Sequence, residues 1–148
     1  MKVLVQRVSK ASVSVAGELI GSIGPGLVAL VGAAAGDSET DINYLVGKTV
    51  NLRIFGDIEG KFNLSLLDVK GELLVVSQFT LLADARKGRR PSFTDAASPE
   101  LAEALIDRFI VEARSYGIKV ATGRFQAHML VEIYNDGPVT IMLDSKKI

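Results

Sequence analysis

The stretch Lys2–Val15, "KVLVQRVSKASVSV", alternates apolar and polar residues with period two over almost its whole length. Successive side chains of a strand point to opposite faces, so this pattern predicts a long strand with one face turned to a core. Gly17-Glu18 then turns the chain into "LIGSIG", giving an N-terminal antiparallel meander. Arg7 is the odd member. It shares a face with Val3 and Val5, and so is either an edge residue with its head in water or a buried guanidinium with a specific carbonyl or carboxylate partner.

Outward from this strand, Pro25-Gly26 makes a second turn, and "LVALVG" is short and apolar on both faces, as a central strand should be. The period changes in "GDSETDINYLVGKTVNLRIFG". There Ser38 and Asp41 form a capping signature, and Ile42, Leu45, Val46 and Val50 form one helical stripe. "FNLSLLD" alternates through Phe62, Leu64 and Leu66 and predicts a strand, and "ELLVVSQFTLLA", from Glu72, predicts a long buried one. Ser98-Pro99 starts a second helix with Leu101, Leu105, Phe109 and Ala113 on one face and Gly117 as its stop. Three strand-like segments follow: "IKVATG", "HMLVEIY" and "VTIMLD". With no repeat and no linker, the expected product is a single α+β domain over residues 1–148. It would be a mainly antiparallel curved sheet or partial barrel covered by two helices.

Composition narrows the chemistry. A chain of 148 residues can bury roughly 68–70% of its unfolded surface and needs no staples. Lys and Arg total 17 and Asp and Glu total 17, so no global field draws the chain to nucleic acid or to an anionic membrane, and any such contact must be local. The chain has no cysteine, which excludes disulfide and thiolate chemistry. Its single His128 leaves a transition-metal site without its usual ligands, so neither a metal nor an organic cofactor is expected. Gln6, Arg7 and Lys10 interrupt the N-terminus where a signal peptide would be apolar, which predicts a soluble cytoplasmic protein with no membrane contact.

"SQFTLLAD", Ser77 to Asp84, places Ser77, Gln78 and Thr80 in an otherwise apolar strand. Buried polar groups are costly unless paired. Either the strand ends there in local hydrogen bonds, or hydroxyls and strand-end N–H groups face a carbonyl for acyl transfer or ester hydrolysis. Thr80 lacks an evident base, since the only imidazole is His128, at the start of a strand-like segment, and no nucleophile elbow surrounds either hydroxyl. "DARKGRRPSF" gathers Arg86, Lys87, Arg89 and Arg90 around Gly88, either as a solvated loop or as a phosphate contact. "GRFQAHML" offers Phe125 and Met129, which are either core residues or surfaces for a base. Gly137-Pro138, in "NDGPVTIML", reads by itself as a turn into the last strand.

"SQFTL" and "NDGPVT" together, with the "VQRV" start and the "KGRRPSF" loop, make the whole chain resemble the D-aminoacyl-tRNA deacylase family. The resemblance implies a homodimer with two active sites at the subunit interface, acting on the acceptor end of aminoacyl-tRNA to remove D-amino acids, and glycine from mischarged tRNA. It implies that Ser77, Gln78, Phe79 and Thr80 line the catalytic pocket. It further implies that Gly137 and Pro138 of "GPVT", with Val139 and Thr140 beside them, are joined by a cis bond and reach into the partner's pocket. Arg7, Phe125 and Met129 correspond to residues that hold the turn or the terminal adenosine. Thr80 is the nucleophile in one view of the family; in another the tRNA ribose 2′-hydroxyl assists. The alternatives are a trans-editing deacylase of another mischarged class on the same fold and a non-catalytic module that binds RNA ends.

Overall fold

The computed structural model describes residues 1–147. Strand β1, Lys2–Val15, is its spine. The first half of β1 pairs antiparallel with β3 (Gly26–Gly32), from Lys2 opposite Gly32 to Val8 opposite Gly26. The second half pairs antiparallel with β2 (Glu18–Ile23). Along its other edge runs β8, Met129–Asp144, from Asp144 opposite Lys2 to Met129 opposite Val15. The sheet continues from β3 through β6 (Glu72–Ser77) to β7 (Val120–Thr122), both added in parallel.

Parallel neighbours need crossover connections, and helices supply them. Helices α1 (Glu39–Asn51) and α2 (Leu66–Val69), with a small hairpin of β4 (Phe55–Gly56) and β5 (Phe62–Leu64), lie between β3 and β6. Helix α3 (Pro99–Arg114) lies between β6 and β7. The sheet curls until its ends nearly meet. A Cβ added to Gly21 of β2 would lie 2.9 Å from the carbonyl oxygen of Thr122 in β7, so this approach requires glycine.

Curling gives the sheet two apolar faces. On the outer face Val3, Val5, Leu27, Ala29, Val31, Leu73 and Val75 pack against the helices, which contribute Ile42, Leu45, Val46, Leu105 and Phe109. Inside the curl, Val8, Ala11, Val13, Ile23, Val28, Leu74 and Val76 pack on one another. β3 and β6 therefore bury both faces, which is why "LVALVG" and "ELLVV" carry no alternation. No helix among the described residues is long and apolar enough to cross a membrane.

Three local expectations are corrected. "FNLSLLD" is a strand only as far as Leu64. The Ser65 Oγ then accepts from the Asp68 N–H at 3.1 Å and the Asp68 carboxylate accepts from the Ser65 N–H at 2.9 Å, which starts α2. The strand in "ELLVVSQFTLLA" ends at Ser77, and Phe79–Leu82 form a 3-10 turn. In α3 the buried stripe runs through Ala102, Leu105, Ile106, Phe109 and Ala113, which leaves Leu101 on the flank at 39% exposure.

The start of β1, the end of β8 and the start of α1 are tied by a buried polar cluster. The Met1 α-amine donates to Asp37 Oδ1 at 2.9 Å and to Ser145 Oγ at 3.0 Å. Ser145 Oγ donates to Asp41 Oδ1 at 2.6 Å, and Lys146 Nζ donates to the same oxygen at 2.9 Å. Burial pushes the Asp41 carboxyl up. Donors from Ser145, Lys146 and the Ser38 N–H, with the Lys146 charge, outweigh it and hold the group well below the usual carboxylate range. A depressed folded pKa means that the stability from Asp41 is complete above its unfolded pKa of about 4 and is lost as pH falls below it. Asp41→Asn should cost roughly 1–3 kcal/mol at neutral pH. It should also flatten the fall of melting temperature on acidification, as calorimetry at stepped pH would read.

Candidate active site

The end of β6 is where the sheet gives up its ladder. Gln78 still donates its N–H to Val31 O at 2.8 Å, and then the 3-10 turn lifts Phe79 and Thr80 to the surface. Ser77, Gln78 and Phe79 form one wall of a cavity of about 710 Å³. The segment from Phe125 to Met129 also lines it, as do Ala102 and Ile106 of α3. The structure thus brings together Ser77, Gln78, Phe79, Phe125 and Met129, which lie far apart in sequence. His128 also faces the cavity.

Thr80 stands beside this cavity rather than in its lining. Its hydroxyl oxygen accepts from the Gln78 side-chain amide. A base would instead accept the hydroxyl proton, and among the described residues none is hydrogen-bonded to Thr80. No group of three or more His, Asp or Glu side chains converges among the described residues.

The basic loop grows from the same wall. Asp84 and Ser92 pair across its base with N–H to O distances of 2.8 and 2.9 Å, and Phe93 packs edge-on against Phe79 with ring centroids 5.1 Å apart. Arg86 folds back on Asp84 with contacts of 2.9 and 2.7 Å, and these donors hold the Asp84 carboxyl down at about 2. Lys87, Arg89 and Arg90 are exposed.

Gly137 and Pro138 lie elsewhere. Neither lines the cavity of its own chain, and both are exposed. They sit in β8 where its register with β1 breaks. Thr140 pairs with Gln6 and Asn135 with Val8, so Asp136, Gly137, Pro138 and Val139 together face Arg7 alone. The Gly137-Pro138 peptide bond is cis. Gly137 has φ +133°, and a Cβ there would lie 2.8 Å from Val139 Cγ2 and 3.2 Å from Arg7 Nη2, which excludes other residues. Val139 is the buried member of the turn, packed in the helix-side core, while Thr140 is exposed.

Of the two readings open for Arg7, the structure selects the guanidinium with carbonyl partners. Its side chain is 16% exposed, Nη1 donates to Ile54 O at 2.7 Å, Nε donates to Asp136 O at 3.1 Å, and the head lies 5.4 Å from the Phe62 ring centroid. Among the described contacts Arg7 touches the turn and not the cavity.

The D-Tyr-tRNA(Tyr) deacylase family model matches residues 4–144. The chain belongs to this family. A D-aminoacyl-tRNA deacylase of Dehalococcoides mccartyi (strain ATCC BAA-2100 / JCM 16839 / KCTC 5957 / BAV1) is 63% identical over 146 residues, 99% of this chain and 95% of the relative. The D-aminoacyl-tRNA deacylase of Fervidobacterium nodosum is 57% identical over 148 residues, 100% of this chain and 99% of the relative. Among solved structures, the c-Myc DNA Unwinding Element Binding Protein superposes with a TM-score of 0.92 at 42% identity, covering 97% of this chain and 98% of that one.

Several residues around this cavity and turn carried no signal by themselves. Phe93 supports Phe79 across a loop, and Ile54 and Phe62 meet Arg7 from a hairpin remote in sequence. The cation–carbonyl geometry at Arg7 needs a planar fork with separate donors, which lysine lacks. Arg7→Lys should leave Ile54 O or Asp136 O without its donor and lose about 1–3 kcal/mol, read by denaturant unfolding.

Proposed function

We propose that the cavity at the end of β6 holds the aminoacylated terminus of tRNA, and that Gly137-Pro138 of a second copy of the chain completes it as a chiral wall. Family membership makes the chain an enzyme, a D-aminoacyl-tRNA deacylase that hydrolyses the ester between amino acid and tRNA. The observation that carries the finer reading is the separation within one chain. One motif lines a cavity, while the other is held out on a braced turn that lines no part of it.

Discriminating D from L a thousandfold takes about 4 kcal/mol, whereas a hydrophobic side-chain pocket offers about 1–3 kcal/mol and would restrict which amino acids are accepted. Main-chain groups fixed near the α-carbon can reject an L side chain whatever its identity. The homodimer this requires has a surface to use: Leu130, Tyr134 and Met142 stand out from β8, the strand that carries the turn, at 65%, 49% and 49% exposure. Phe125 and Met129 offer apolar faces to the terminal base, and the loop carrying Lys87, Arg89 and Arg90 lies where the acceptor-end phosphates would run. The working compartment is the cytoplasm, where aminoacyl-tRNA is used.

In the hydrolysis, a water oxygen attacks the ester carbonyl carbon, the bond from that carbon to the ribose oxygen breaks, and a proton from that water passes to the ribose oxygen, releasing the free amino acid and tRNA. Thr80 accepts a hydrogen bond and has no base, so the chemistry falls to water with help from the neighbouring 2′-hydroxyl, already placed on the substrate. Backbone donors at the end of β6 polarise the carbonyl. Glycyl-tRNA, with no side chain to strike the wall, is a substrate of the same site.

Deacylation of matched D- and L-tyrosyl-tRNA in the presence of chelator tests this reading. Rapid release of D-tyrosine with the L-substrate spared is expected. Equal rates, or loss of activity in chelator, would sink it, and binding without turnover would favour a non-catalytic module that binds RNA ends. Thr80→Ala should slow D-tyrosyl release by less than about tenfold, whereas a true nucleophile would cost several orders of magnitude. With Arg86 committed to Asp84, three cations remain for phosphate. Replacing Lys87, Arg89 and Arg90 by alanine should therefore reduce the log–log salt slope of tRNA binding by about 2.

A further inference from the structure

We infer that Asn135 is a positioning residue that fixes the Gly137-Pro138 turn, a role that rests on the reading of that turn as the chiral wall. The turn begins where β8 leaves its ladder. Between the pairs Asn135–Val8 and Thr140–Gln6, four residues of β8 face one of β1 and lose their regular partners. Pro138 has no N–H to place. Val139 has one, at a buried position, and the Asn135 side-chain oxygen accepts it at 3.2 Å. The amide nitrogen of Asn135 donates to Thr140 Oγ1 at 2.9 Å, and Gln6 Nε2 donates to the same oxygen at 3.2 Å.

The Asn135 carboxamide therefore spans the base of the turn, from the residue that precedes it to the two that close it, and is tied to β1 through Thr140 and Gln6. Arg7 holds the opposite side through Asp136 O. Arg7 fixes where the turn starts, and Asn135 fixes where it returns. The task needs an acceptor and a donor on one short side chain. Aspartate supplies only the acceptor and adds a second carboxylate next to Asp136. Alanine supplies neither. A turn released at its return would still stand at the cavity but would yield to an L side chain, so Asn135 acts on selectivity through the turn and not on the reacting atoms.

The test uses the full-length protein, matched D- and L-tyrosyl-tRNA, and the variants Asn135→Ala, Asn135→Asp and Pro138→Ala, each with its melting temperature. The D-to-L ratio of kcat/KM should fall about tenfold in Asn135→Ala, about the worth of one hydrogen bond. Asn135→Asp, which keeps the acceptor for Val139, should fall between it and the parent while melting close to the parent. An unchanged ratio in both Asn135 variants, or equal losses on the two substrates that follow the melting temperature, would overturn the role of Asn135. If Pro138→Ala alone changes the ratio, the wall stands and the clasp does not. If the parent fails to discriminate, or Pro138→Ala leaves the ratio unchanged, the reading of the turn fails and this inference falls with it.

Discussion

Strand β1 is hydrogen-bonded along both edges, and its ladder with β8 cannot be continuous because Arg7 occupies the place of an ordinary rung. From the interruption at Arg7 follow the features that matter. The guanidinium needs carbonyl acceptors at its depth and takes them from Ile54 and Asp136. To present Asp136, β8 must carry surplus residues, and these residues include Gly137 and Pro138. A strand paired along most of both edges is also a firm place in a small sheet from which to hold a turn at fixed orientation.

The cavity is built by the opposite device. There a parallel strand runs out of partners at Ser77, and a tight turn exposes what alternation would have kept buried. Its lining is mostly apolar, and its polar side chains are Ser77, Gln78, Gln126 and His128, with no carboxylate, lysine or arginine among them. On the proposed reading, such a site orients a substrate that brings its own reactive groups. The loop cations lie outside that lining, on a segment pinned at Asp84 and Ser92.

Much of the fold is legible in the sequence because its signals are local. Alternation from Lys2 to Val15 reports β1, the two-faced "LVALVG" reports a central strand, and the stripe Ile42, Leu45, Val46 and Val50 is buried as its spacing requires. "FNLSLLD" misleads because Phe62, Leu64 and Leu66 keep a period of two across Ser65, and one reciprocal cap overrides that pattern. The two strand-like segments "HMLVEIY" and "VTIMLD" are one strand, since a ladder can resume beyond an excursion that local pattern reads as its end. The cavity residues are legible by type but not by company. Nothing near Phe79 in sequence announces Phe93, and nothing near Arg7 announces Phe62.

The meeting of the chain ends has a mechanical meaning. Lys2 and Asp144 are directly opposite in the β1–β8 ladder, and the Met1–Ser145 hydrogen bonds close that ladder just outside them, with Asp37 and Asp41 tying both residues to the start of α1. Tension applied at the two ends would peel the strands apart rung by rung instead of shearing all rungs at once. The buried polar cluster is the first link to carry that tension. The turn, several rungs further in, is shielded from a tug at the termini for as long as the cluster holds.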